Sequence, residues 1–132
     1  LHTDGSVLWD YEMQGEAAMP CAGPAIGPDG TVYVGGKNKQ LYALSSAGQL
    51  EWQCDIGAPA TCSPVVDADG VVYVGAEDGK LTAVTPEGKI RWQFATGGAV
   101  RSTPAIGVGG VLHFGADDGF VYAVGASPAA DQ

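Results

Sequence analysis

The sequence predicts an all-β chain built as a β-propeller of four-stranded antiparallel blades, with about three blades' worth of strands in its 132 residues. Three observations lead there. Pro24, Pro64 and Pro104 stand 40 residues apart, and the segments that follow them repeat. Within each repeat, short runs of β-branched and aromatic residues alternate with Gly-centred turns. No useful window shows a helical period.

The repeat resolves into columns. Gly30, Gly70 and Gly110 align, as do Tyr33, Tyr73 and His113; Gly35, Gly75 and Gly115; and Ala43, Ala83 and Ala123. The first strand follows Pro, whose missing N–H is not needed there: Ala25-Ile26, Val65-Val66 and Ala105-Ile106. Asp29-Gly30 and Asp69-Gly70 are hairpin turns, because Asp-Gly reaches positive φ at little cost. The second strand covers 31–34, 71–74 and 111–114, and Gly79 and Gly119 close the turns that follow. The third covers 41–44 and its copies. Ala47-Gly48 and Glu87-Gly88 then turn into a fourth, which carries Trp52 or Trp92. A partial copy at the start, 5–11, matches 48–54 and 88–94, so an outer strand carrying Trp9 is expected over 5–13.

Burial explains why such units stack. A lone four-stranded sheet cannot cover both its faces, so blades pack radially. Ala43, Ala83 and Ala123 let sheets approach, and the rings of Trp9, Trp52 and Trp92, with Tyr33 and Tyr73, fill the space between blades. The expected organisation is one segment over 1–132: the outer strand 5–13 and repeats 24–63, 64–103 and 104–126. That makes twelve strands, and three blades do not close a ring, since propellers have four to eight. A piece of a longer protein is therefore expected, or a chain that associates with itself, two copies making six blades about a two-fold axis. In that ring the outer strand would complete the last blade, within the chain or from its partner.

Composition agrees and excludes some functions. The 21 Gly, beside 8 Pro, follow no Gly-x-y period, so they mark turns rather than collagen. A net charge of −9 opposes a phosphate backbone or an anionic membrane surface, and no apolar run approaches bilayer length; neither nucleic-acid binding nor membrane insertion is expected. The chain opens Leu1-His2-Thr3 without Met, so the lack of a visible targeting segment carries no information.

The strings DGTVYVGGKNKQLYALSSAGQLEW and DGVVYVGAEDGKLTAVTPEGKIRW resemble the PQQ-like (quinoprotein alcohol dehydrogenase-like) propeller repeat over most of the chain. That repeat occurs in quinoprotein alcohol dehydrogenases, in an outer-membrane assembly lipoprotein, and in many sensor or surface proteins. The resemblance implies an extracytoplasmic setting. It is specific for the repeat and not for one activity. The family's docking motif has an Asp two residues after the Ala and a Thr before the Gly; here Ser45 and Thr85 replace the Asp, and Ala47 and Glu87 the Thr. The adjacent cysteine pair of the dehydrogenases is also absent. These departures imply a non-catalytic module without a cofactor. It would bind protein, peptide or a small ligand, and close its ring with a second copy or with the remaining blades of a larger protein. The alternatives are a fragment of a PQQ-dependent dehydrogenase or a purely structural part of a longer repeat protein.

Chemistry is expected where outer strands lead to the next inner strand, at one mouth of the channel: 14–23, 57–63 and 97–103. The candidate ligand contacts there are Arg101, Ser102, Thr61, Ser63 and Glu16, with Thr103 beside them. A guanidinium at a channel mouth can hold a carboxylate with two parallel bonds. Cys21 and Cys62 precede successive first strands and are candidates for a bridge, whereas Cys54, in the column of Tyr11 and Phe94, reads as a buried apolar thiol. Glu77-Asp78 and Asp117-Asp118 offer too few oxygens for calcium and read as turn residues. His113 falls in the Tyr column and reads as a strand side chain rather than a base. No nucleophile elbow, phosphate loop or zinc-protease motif occurs.

Overall fold

A computed structural model describes residues 6–13, 15 and 19–125. It is all-β. The first sheet holds β1 (Pro20–Ile26), β2 (Val32–Gly36), β3 (Gln40–Leu44) and β4 (Leu50–Asp55) in that spatial order. The second holds β5 (Val65–Val66), β6 (Val72–Gly75), β7 (Lys80–Val84) and β8 (Ile90–Ala95). The third holds β9 (Ala105–Ile106), β10 (Leu112–Gly115) and β11 (Val121–Val124), with β10 in the middle. All neighbours are antiparallel, and the register repeats: Tyr33 faces Ala43, Tyr73 faces Ala83, and His113 faces Ala123. These are three blades of a propeller, the last with three strands among the described residues.

Three details depart from the sequence-based expectation. First, β1 starts five residues earlier than expected, at Pro20, and its pairing with β2 shifts between Cys21 and Ala25. That bulge spans Pro24, which has no N–H to give the ladder. Second, β2 starts at Val32 because the Asp29 carboxylate accepts the N–H of Thr31 at 3.0 Å and keeps it in the turn. The same bond pulls the Asp29 carboxyl below its usual range. Third, the outer strand expected over 5–13 is not formed by described residues 6–13, so eleven strands stand among the described residues where twelve were expected of the chain. A strand needs an edge to pair with, and the edge that lacks a fourth strand, β11, belongs to the third sheet at the far end of the arc.

The core lies between the blades. One cluster joins Leu41, Ala43, Cys54 and Ile56 of the first blade to Val72, Val74 and Val84 of the second. Another joins Leu81, Ala83 and Tyr73 of the second to Leu112 and Phe114 of the third. Tyr33 and Tyr73 tilt against Trp52 and Trp92 of their own blades at 5.8 and 5.9 Å between ring centroids. Each fourth-strand Trp then reaches across. Trp52 lies over Gly88 in the last turn of the second blade, and its indole N–H donates to the carbonyl of Pro86 at 2.9 Å. Trp9 does the same one blade earlier, lying over Gly48 and donating to Ser46 at 3.0 Å.

Backbone conformation follows the repeat even where the residue does not. Gly79 and Gly119 sit at φ 88 and 90, and in the first blade Lys39 takes the same left-handed turn at φ 74. For a residue with a Cβ that conformation costs about 1 kcal/mol.

Two outcomes are expected. Gly88 and Gly119 share φ +90, but a Cβ on Gly88 would meet the Trp52 ring at 2.7 Å, whereas nothing lies within 4 Å of one on Gly119. Gly88→Ala should therefore lower unfolding free energy by about 1–3 kcal/mol more than Gly119→Ala, read by urea denaturation. The second concerns Tyr73, whose hydroxyl donates to Asp67 at 2.8 Å. Burial first, then the bond to Asp67, push its phenol up to about 12. A raised folded value means the protonated phenol stabilises the fold below its ordinary value of ~10, and that contribution disappears as pH climbs through about 12. Alkaline titration at the phenolate absorbance, with Tyr73→Phe as the blank, should show Tyr73 ionising near pH 12 and earlier in Asp67→Asn.

Candidate functional site

One edge of the arc carries a repeated backbone clasp. Lys37, Glu77 and Asp117 follow the second strands of successive blades. Their N–H groups donate to the carbonyls of Met19, Pro59 and Ala99, at 2.9 Å in each case. The donors are 40 residues apart and so are the acceptors, so each entering loop is tied to its blade in the same way. The three side chains of the donor column are thereby placed around one rim.

The hydroxyl candidates are engaged with the scaffold. Ser63 Oγ accepts the N–H of Gly23 at 2.9 Å, tying the loop that enters the second blade to the first. Thr61 Oγ1 donates to the carbonyl of Val100 in the next loop. Ser102 Oγ accepts the N–H of Gly115 at 3.0 Å, and Cys62 Sγ takes the same place against Gly75 at 3.3 Å. Thr103 is exposed. Glu16 lies outside the described residues, as does the side chain of Cys21 and with it the bridge expected as a candidate between Cys21 and Cys62. Thr61, Ser63, Ser102 and Cys62 each meet a backbone group.

Arg101 is one of two exposed cations of the rim, with Lys37. Its Nε donates to Asp117 Oδ2 at 2.6 Å, with 60% and 49% of the two side chains exposed. The bond to Asp117, the charge of Asp117 and, less, that of Glu77 raise the guanidinium's already high pKa. At such exposure the pair orients the side chain more than it stabilises the fold. A shallow cavity of about 400 Å³ opens beside it, lined by Lys37, Pro59, Ala60, Thr61, Glu77 and Arg101. Its charges are mixed, Lys37 and Arg101 against Glu77. The two cations are a third of the six bases in a chain of net −9, so this cavity is less negative than the chain as a whole.

The rim of Lys37, Glu77 and Asp117 lies in one 40-residue column, yet two of its members are acids in Gly-containing turns, and composition there points to a turn role alone. Their neighbours do serve the turns. Asp78 accepts the N–H of Lys80 at 3.1 Å. Asp118 accepts from the Tyr122 hydroxyl at 2.5 Å and from the N–H groups of Gly97 and Phe120 at 2.9 and 3.0 Å, which together hold its carboxyl low. Among the described residues no three His, Cys, Asp or Glu side chains converge as metal ligands. His113 stands exposed on β10, and Cys54 is buried, which pushes its thiol up. No helix of the described residues is long and apolar enough to cross a membrane.

Comparison with known proteins agrees with this architecture. The family model described as outer membrane protein assembly factor BamB matches residues 2–128. Among solved structures, BamB from Moraxella catarrhalis superposes with a TM-score of 0.70 at 21% identity, over 82% of this chain and 34% of that one. The chain thus spans about a third of the length of that structure. No curated protein matches the sequence.

Proposed function

The chain belongs to the PQQ-like propeller family described as outer membrane protein assembly factor BamB, and from that premise we propose that it is a non-catalytic binding module of an extracytoplasmic assembly system. In this reading the channel mouth holds an extended polypeptide segment, and the open arc closes its ring by self-association. The observation that carries it is the state of the mouth: Thr61, Ser63 and Ser102 are spent on backbone groups, while Lys37, Glu77 and Arg101 line an open cavity of about 400 Å³. Such a site has no activated nucleophile. It has charges of both signs, which match a peptide whose side chains also carry both.

The family's description names outer membrane proteins, so the probe is a fluorescent extended peptide copied from a strand of an outer-membrane β-barrel. Titration should give saturable binding that weakens with salt. Reversal of the two rim cations, Arg101→Glu with Lys37→Glu, should weaken it about tenfold or more, roughly 1.4 kcal/mol, with the far-ultraviolet spectrum unchanged. Absence of saturable binding, or indifference to the reversal, overturns the reading. A saturable absorbance change on adding PQQ with calcium would favour a dehydrogenase fragment instead.

A further inference from the structure

The two ends of the arc carry matching halves of one blade. At the carboxy-terminal end, β11 is the third strand of a sheet without a fourth among the described residues. Its cover is missing too. Leu41 of β3 and Leu81 of β7 are 0% exposed, whereas Val121, in the same column, is 83% exposed, and Phe120 beside it 64%. At the amino-terminal end, 6–13 carries fourth-strand residues without a sheet. Trp9 sits on the first blade as Trp52 sits on the second. Tyr11 packs against Tyr42 at 6.3 Å, as Phe94, in the column of Tyr11, packs against Tyr122 of the third blade at 5.5 Å. The segment therefore occupies the place of an outer strand whose blade would lie next to the first. Val7 and Leu8 of that segment are 76% and 82% exposed.

We propose that two copies of this chain exchange these halves, each supplying the fourth strand of the other's third blade, with Trp9 opposite the partner's Ala123. The proposal deepens the reading above, resting on its self-association, and adds the strand, the register and the occupant. The register follows from the two complete blades, where Ala43 faces Trp52 and Ala83 faces Trp92. Carried over by column, Tyr11 faces the partner's Val121, Glu12 faces the partner's Phe120, and Val7 faces the partner's Val124. Both complete blades also break register after the Trp pair, between Ala43 and Leu44 and between Ala83 and Val84. The same irregularity falls at Leu8.

Among the described residues the fold keeps these two halves apart. Trp9 is held on the first blade and β11 on the third, with the second packed between them through both core clusters. A third blade of the same sequence, brought by a second copy, covers the exposed β11 edge and the open face of the first blade together. That face is a cleft of about 380 Å³ lined in part by Val32, Val34, Tyr42 and Leu44. An unpaired edge strand is a template for such addition, and two head-to-tail junctions about a two-fold axis leave neither end open.

The test uses the 132-residue chain, by native mass spectrometry across concentration together with hydrogen exchange. The expected result is a dimer in which amides of 120–124 and 7–12 exchange more slowly as concentration rises. Val121→Lys places a charge that is solvated in the monomer but would be buried in the ring. It should raise the dissociation constant about tenfold or more while the far-ultraviolet spectrum stays the same. A monomer at all accessible concentrations overturns the proposal. So does a dimer whose 120–124 amides are unprotected, a dimer indifferent to Val121→Lys, or an open ladder of larger species. Peptide binding at the mouth is read by its own titration. A monomer that binds peptide overturns the exchange alone, and a dimer that does not bind overturns the binding reading alone.

Discussion

The stacking of these sheets depends on one contact, an indole laid over a glycine of the next blade. Trp52 covers Gly88 and donates its N–H to the carbonyl of Pro86, so a large apolar surface is buried while its one polar group is satisfied. The turn must be glycine there on two counts: its φ is +90, and the ring occupies the space a Cβ would need. With that contact in place, the alanines beneath can bring two sheets into van der Waals contact. Ala43 and Ala83 are wholly buried, and the cores form between blades rather than within any one of them.

The character of the mouth follows from this stacking. Blades held apart by rings and drawn together by alanines leave their loops close enough for side chains to reach across. Thr61 and Ser63 do so, and their hydroxyls become part of the scaffold. The column after each second strand keeps a constant backbone bond while its side chain varies. Lys37, Glu77 and Asp117 share one backbone role, yet the first is a cation and the other two are acids. A repeat of this kind keeps its fold with the backbone and varies its rim with the side chains, which is how one architecture serves unrelated partners.

Much of this was legible in the sequence because the repeat multiplies every local signal. Asp-Gly turns, the proline before each first strand and the Tyr–Ala register all recur at one period, so blade class, strand order and turn positions could be read directly. The outer strand over 5–13 could not. Its residues match β4 and β8, but a strand forms only where a neighbouring edge exists, and that is a property of the assembled arc. The site was half legible. Arg101 stood out as a lone cation in a loop, yet its partner Asp117 lies 16 residues on and has the composition of a turn acid. Nothing local ties a serine such as Ser63 to a glycine one repeat away. Lys39 is hidden for a different reason: a lysine in a left-handed turn carries no compositional cue, and only the column of Gly79 and Gly119 reveals it.

The indole contact also has a direction. Trp9 reaches forward to the first blade and Trp52 forward to the second. Through these two contacts the first and second blades are each clasped by the segment before them, so the arc is a ratchet rather than a symmetric stack. Losing the second blade would strand the Trp52 indole, whereas losing the segment that carries Trp9 would bare the glycine turn it covers. In an array whose stability is a sum over neighbours, such asymmetry gives the molecule a grain. Fraying, proteolytic nicking and the order in which blades are gained or shed would then differ at the two ends, even though the blades share one fold.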